Sequence, residues 1–199
     1  MVFVIQFALL GFLVHYMIGS PTFKIVMPDS FIVLVTRFVA TVMMHLTVES
    51  KVRDGLHMMK YVANHPEAFT LPAFAFSVGL MKTIGGITSE IMCVVFLTSL
   101  NNVIEVIIRF MAFGSIANVD MFYSEMLPDV QAFRIKLPSG TFKVVNMNRT
   151  LDRRDHSCCI RVSRIVYKLI RIIYCSYIFY FMPFTTIWLP YLISVKQYE

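Results

Sequence analysis

The chain has 199 residues, of which 57% are hydrophobic and 15% are charged, and its formal net charge is +6. A soluble domain has about 25% charged residues to form its polar surface, so this composition argues against a soluble globule and predicts an integral membrane protein. Ten of the eighteen lysines and arginines lie between Arg134 and Arg171, and such clustering beside apolar runs is typical of membrane topology rather than of nucleic-acid binding.

The N-terminal half contains two long apolar segments. Residues 2–18 lack the charged start of a signal peptide, so we expect a retained first span or signal anchor, with a cleaved leader as the alternative. A second span is predicted from Phe31, after the N-cap candidate Ser30, and continues into an amphipathic extension at 50–65. This extension either prolongs the helix or bends at Gly55.

Residues 68–100 contain a glycine pair, Gly85 and Gly86, between a lysine and a glutamate. A helix of this length would measure about 50 Å, whereas the hydrocarbon core is about 30 Å thick. The helix is therefore expected to tilt, to extend beyond the bilayer, or to break near the glycines. A turn at Asn101–Asn102 leads to a further span at 103–118.

The main polar region, 127–158, is predicted to contain a β-hairpin at 132–145, since two alternating segments flank a Pro-Ser-Gly turn. A basic interfacial helix and an uncharged span at 172–195 follow within 159–199. One stripe of that helix is expected to contact anionic lipid headgroups through Arg161, Arg164, Lys168 and Arg171.

The predicted fold is mostly α: an integral membrane bundle of four or five transmembrane helices in 1–126 and 159–199, with a small cytosolic hairpin. The positive-inside rule places the loop 127–171 on the cytosolic or matrix side, together with 50–66. A glycosylation sequon at Asn148 disagrees with this topology, but three-residue sequons are common by chance.

Three segments carry a family resemblance: NHPEAF at 64–69, IANVDMFYSEML at 116–127 and YKLIRIIYCSYIFYFMP at 167–183. On these segments the chain resembles an uncharacterised group of multi-pass membrane proteins that is abundant in ciliates. The resemblance covers roughly 31–127 and 160–192. It implies membrane residence and helical architecture, and it implies no particular activity.

Ionisable residues within the apolar segments are the main functional candidates. They are Arg37, His45, Lys82, Glu90, Glu105 and Arg109. A charge at the bilayer centre costs at least about 2.5–3.5 kcal/mol, so each needs a partner or water. Glu105 and Arg109 are spaced to pair within one helix, and Lys82 and Glu90 could meet them across a hairpin. The set predicts either an ion-pair network that holds helices together, which we favour, or a hydrated ion or proton path.

The remaining candidates have weaker patterns. Gly85 and Gly86 are predicted to allow close helix packing. Cys158 and Cys159 are candidates for palmitoylation, with unmodified thiols as the alternative. No catalytic, cofactor-binding or metal-binding motif occurs, and we expect no enzymatic activity.

These patterns lead to two functional hypotheses. The first is a non-enzymatic membrane protein that acts by lateral assembly, as a homo-oligomer or within a larger membrane complex, in contact with membrane lipids. The second is an ion channel or transporter subunit in which the intramembrane charges line the path.

Overall fold

A computed structural model describes residues 2–19, 23–66, 69–119, 121–122 and 158–196. These residues form helices and short connections, without a strand in the described ranges, and the prediction of a mostly α fold is confirmed. The helices are α1 (Val2–Gly19), α2 (Phe31–Asn64), α3 (Pro72–Leu97), α4 (Val103–Ala117) and α5 (Cys158–Ile173). The C-terminal segment continues α5 through a π-helical turn (Tyr174–Ile178), α6 (Phe179–Phe181), a 3₁₀ turn (Met182–Phe184) and α7 (Thr185–Lys196). The predicted hairpin lies outside the described residues.

Local sequence signals explain where the helices begin and end. The hydroxyl of Ser30 accepts a hydrogen bond from the Val33 amide at 3.3 Å and caps α2, and the Asn102 side chain caps α4 in the same way. Helix α2 is continuous through Gly55 and ends at Asn64, two residues before Pro66. Helix α3 starts with Pro72, whose ring fixes a helical φ angle, and it is continuous through the glycine pair.

Helices α2 and α3 pack antiparallel along most of their length. Position 55 faces position 79, position 45 faces position 90, and Arg37 reaches Leu100 just beyond α3. Helix α4 returns beside α2, where Lys51 donates to the Ala117 carbonyl. These contacts make the connection at 98–102 a tight helical hairpin at one end of the bundle.

Helix α1 and the C-terminal segment flank this pair. Gln6 of α1 contacts Ser89 of α3. The C-terminal segment runs antiparallel to α2, because Arg164 bonds the carbonyl of Ala63 while the Phe184 ring lies 5.6 Å from that of Phe38. The start of α5 therefore lies at the same end of the bundle as the end of α2.

The outer surface of the bundle is rich in large apolar side chains, while several polar groups lie in its interior beside the hydrophobic core. On the first half of α2 the outward positions are large and apolar: Phe31, Ile32, Val35, Val39, Met43 and Leu46. The inward positions of the same half include Arg37, Thr41 and His45, all buried. Helix α3 repeats the arrangement, with Ile84 and Ile91 outside and Glu90 inside. Such a surface suits a hydrocarbon environment, where no water solvates polar groups.

Three helical runs, Phe31–Asn64, Pro72–Leu97 and Ile160–Ile193, have the length and the apolar composition needed to cross a membrane. The shorter apolar helix Phe3–Met17 falls below that length. The predicted span from Phe31, the predicted span within 68–100 and the C-terminal span therefore meet this criterion, while the prediction of four or five crossings goes beyond it.

Candidate functional site

Close contact between α2 and α3 brings the polar residues of the bundle interior together. A Cβ atom added to Gly55 would lie 2.9 Å from the Gly79 carbonyl oxygen, and nearer still to the Thr83 hydroxyl. A Cβ added to Gly86 would lie 3.1 Å from a Val52 methyl group. Glycine is the residue that lets the two backbones approach this closely.

A histidine and a glutamate form a buried pair between the two helices. His45 Nδ1 of α2 lies 2.6 Å from Glu90 Oε1 of α3, and Glu90 is fully buried. The opposite atoms, His45 Nε2 and Glu90 Oε2, are buried without a hydrogen-bond partner among the described residues. The Phe179 ring lies 5.4 Å from the imidazole and covers it from the C-terminal segment. A short hydrogen bond in a site shielded from water holds α2 to α3.

Arg37 is fully buried near the hairpin end of the bundle. Its Nε and Nη2 atoms donate to the Leu100 carbonyl at 2.9 and 2.6 Å, and Nη1 donates to the Val26 carbonyl at 3.0 Å. Nη2 also donates to Asn101 Oδ1 at 2.9 Å, and the Asn101 amide in turn bonds the Asp29 carboxylate. The planar guanidinium thus ties two loops to α2, using backbone oxygens in place of an ionic partner.

Lys82 lies near the other end, at 3.6 Å from the Asp54 carboxylate, and both side chains are partly exposed. Arg53 and Glu49 pair on the same half of α2 at 3.4 Å. Both pairs are accessible to solvent, where ion pairs contribute little to stability.

The remaining two ionisable residues of the predicted network are separate from it. Glu105 is exposed in the first turn of α4, and the guanidinium of Arg109 lies 5.2 Å from the centre of the Phe96 ring. No ion pair joins Glu105 to Arg109, or either of them to Lys82 or Glu90, in the part of the chain described. The structure therefore places the six residues in five locations, and brings only His45 and Glu90 together.

The glycine pair has two different neighbours. Gly86 faces α2, as described above, whereas a Cβ on Gly85 would lie 3.2 Å from Gln6 Oε1 on α1. Gln6 Nε2 is 3.4 Å from the Ser89 hydroxyl. Both glycines are thus in contact with helices of the same chain, so neither forms part of the outer surface.

One residue of the predicted lipid-contacting stripe on α5 forms a hydrogen bond with another helix of the chain, and the other three are exposed. Arg164 donates from Nε to the Ala63 carbonyl at 3.0 Å and anchors α5 to the end of α2. Arg161, Lys168 and Arg171 are exposed. Cys158 is also exposed at the start of α5, and the side chain of Cys159 lies outside the described part of the structure.

A cleft of about 330 Å³ separates the charged half of α2 from the C-terminal segment. Its wall contains Glu49, Arg53, Leu56, His57, Lys60, Tyr167, Arg171, Tyr174, Cys175, Phe179 and Tyr180. The lining includes Phe179, which also contacts His45, and Tyr174, whose hydroxyl is buried without a described partner. One residue of the cleft wall, Phe179, is therefore in contact with the His45–Glu90 pair.

No protein-family model, curated protein or solved structure matches the chain. The resemblance to ciliate membrane proteins stays a prediction. Within the described ranges, no three His, Cys, Asp or Glu side chains come together as metal ligands.

Several important residues were not singled out from the sequence. Gly79 and Thr83 are spaced four apart, which is the small-residue pattern of close helix pairs and would have identified this contact. The π-helical turn at Tyr174–Ile178 and the buried Tyr174 had no comparable signal in the sequence.

Proposed function

We propose that the chain is a multi-pass integral membrane protein in which α1, α2, α3, α4 and the C-terminal segment each cross the bilayer. The apolar outer surface supports this, because large apolar side chains cover the outside while Arg37, His45 and Glu90 lie inside. The C-terminal end of α2 and the start of α5 share one end of the bundle, which agrees with a cytosolic or matrix location for both 50–66 and 127–171.

The function that the geometry favours is lateral assembly without catalysis. The glycines face inward, so the surface that assembly would use is a different one, on the outward side of the C-terminal segment. Ser176 and Tyr177 are exposed there, close in sequence to Phe179, which contacts His45. Neither hydroxyl has a hydrogen-bond partner among the described residues. In a bilayer, hydroxyl groups at this depth are better accommodated by a neighbouring helix than by lipid.

Molar mass in a mild detergent tests this proposal. We expect the purified chain to be oligomeric, and the double variant S176A/Y177F to shift toward monomer, since an interhelical hydrogen bond contributes about 1 kcal/mol. The matched control is Y191F, which removes the hydroxyl of an exposed tyrosine in the middle of α7. A monomeric wild-type protein would contradict the proposal.

A second candidate is a proton- or cation-translocating subunit, and the His45–Glu90 pair is the observation that favours it. The pair is buried, has an unpartnered atom on each residue, and contacts Phe179, which lines an open cleft. Liposomes with purified protein should then show proton flux that E90Q reduces strongly and that E105Q, which alters an exposed carboxylate, leaves unchanged. Absence of flux in the wild type under both a pH gradient and a voltage would contradict this function.

A further inference from the structure

The cleft between α2 and the C-terminal segment has an excess of basic groups on its walls. Arg53, His57 and Lys60 lie on one face of α2, and Arg171 faces them from α5, whereas Glu49 is the single carboxylate of the lining. Glu49 pairs with Arg53. Lys60 and Arg171 have no ion-pair partner in the described part of the chain, so two cations face a shared space that an anion would fill favourably.

The cleft also offers neutral donors and an apolar wall. Tyr167, Tyr174 and Tyr180 line it, and the buried hydroxyl of Tyr174 has no described hydrogen-bond partner. Leu56 and Phe179 supply apolar surface beside them. A ligand that fits this lining combines a negative, hydrogen-bond-accepting group with hydrocarbon, and both parts must be present in one molecule.

The position of the cleft in the bundle selects the kind of molecule. Its charged wall lies on the second half of α2, directly after the apolar half whose outward side chains run from Phe31 to Leu46. Phe179 and Tyr180 extend it toward the depth of His45. A phospholipid in the adjacent leaflet places its phosphate at the depth of the charged wall. Its acyl chains then lie at the depth of Phe179 and Tyr180.

We propose that this cleft binds one anionic phospholipid. Its phosphate lies between Lys60 and Arg171, with Arg53 and the Tyr174 hydroxyl as further donors, and its acyl chains lie against Phe179 and Tyr180. The site differs from a general attraction of the α5 stripe to the membrane surface, because it uses residues of two helices and a defined cavity. The inference rests on the membrane residence proposed above, and not on assembly or transport.

Native mass spectrometry of the full-length, delipidated protein tests the site, with phosphatidylglycerol, phosphatidylcholine and inorganic phosphate as separate probes. We expect one phosphatidylglycerol per chain to bind more tightly than phosphatidylcholine, with no retention of free phosphate. The double variant K60Q/R171Q should weaken binding about 30-fold, given about 1 kcal/mol for each cation near a lipid phosphate. The control R161Q/K168Q removes the same charge from exposed positions outside the cleft, and we expect less than about threefold weakening.

A further variant, Y174F, removes the unpartnered hydroxyl and retains the ring, so the fold should persist while phosphatidylglycerol binding weakens severalfold. Equal weakening by the two double variants would overturn the proposal in favour of a diffuse basic surface. Equal affinity for phosphatidylglycerol and phosphatidylcholine, or retention of phosphate alone, would also overturn it. Membrane residence is tested separately by alkaline carbonate extraction, and the lipid count per chain does not depend on whether the protein is a monomer.

Discussion

The contact between Gly55 and Gly79 makes a sharp prediction for the substitution G55A. The added methyl carbon would lie 2.9 Å from the Gly79 carbonyl oxygen and 3.2 Å from the Thr83 amide nitrogen. Optimal contacts of a carbon atom lie at about 3.5 Å, so α2 and α3 must separate by roughly 0.5 Å at this point. The obstructing atoms include backbone atoms of α3, which cannot rotate away as a flexible side chain can.

The expected cost follows from two opposing terms. Overpacking of a tight contact costs about 1–3 kcal/mol, and the rigid obstruction places G55A toward the upper end. Replacing glycine by alanine inside a helix contributes about 0.8–1 kcal/mol of stabilisation. We therefore expect a net loss of about 2 kcal/mol in the free energy of unfolding for G55A.

Gly114 in α4 provides the matched control, since a Cβ there meets nothing within 4 Å. G114A should gain the same helix-propensity term without a packing cost, so the difference between the two variants isolates the contact. Unfolding by sodium dodecyl sulfate in mixed micelles, followed by circular dichroism, measures both free energies. If G55A proves as stable as G114A, the close packing of α2 on α3 described above is incorrect.

Three further predictions concern the buried and exposed charges, each measured by the same unfolding assay. H45A and E90A should each lower the free energy of unfolding by about 3–5 kcal/mol, because each leaves a buried polar group unpaired. The double variant should lower it by clearly less than the sum of the two. Additive effects would show that the two side chains are not coupled. R37M should lower the free energy of unfolding by at least about 3 kcal/mol. R37K should lower it nearly as much, because an ammonium group lacks the planar set of N–H donors with which the guanidinium reaches several oxygens. Full rescue by lysine would contradict the described geometry. K82Q should change the free energy of unfolding by less than about 1 kcal/mol at low salt and by less still at high salt, because the pair of Lys82 with Asp54 is exposed to solvent. A large, salt-independent loss would show that this pair is buried.

Helix positions followed from local chemistry and were predictable to within a few residues. Apolar runs long enough to cross a bilayer, a cap at Ser30 and the turn at Asn101–Asn102 each act over a few neighbouring residues. The alternatives left open at Gly55 and at Gly85–Gly86 were resolved as continuous helices. At these positions a neighbouring helix packs closely against each glycine, and the helix that contains the glycine is unbroken.

The partners of the charged residues were not predictable in the same way. Glu105 and Arg109 were the nearest candidates along the chain for Lys82 and Glu90, yet Glu90 contacts His45, which is 45 residues away. Arg37 uses backbone carbonyls of loops, and every residue has a carbonyl, so no side-chain pattern marks such a partner. Position within the helix register, rather than residue type, determines which polar groups meet.

By itself, the sequence determined the helical content and the apolar character of this protein, because hydrophobicity and helix signals are properties of short segments. The tertiary structure alone decided that the glycines pack inside the chain, that His45 and Glu90 form the buried pair, and that basic groups of α2 and α5 share one cleft. Each of these features joins helices that are far apart in sequence, and it exists only once their rotation and depth are set by packing.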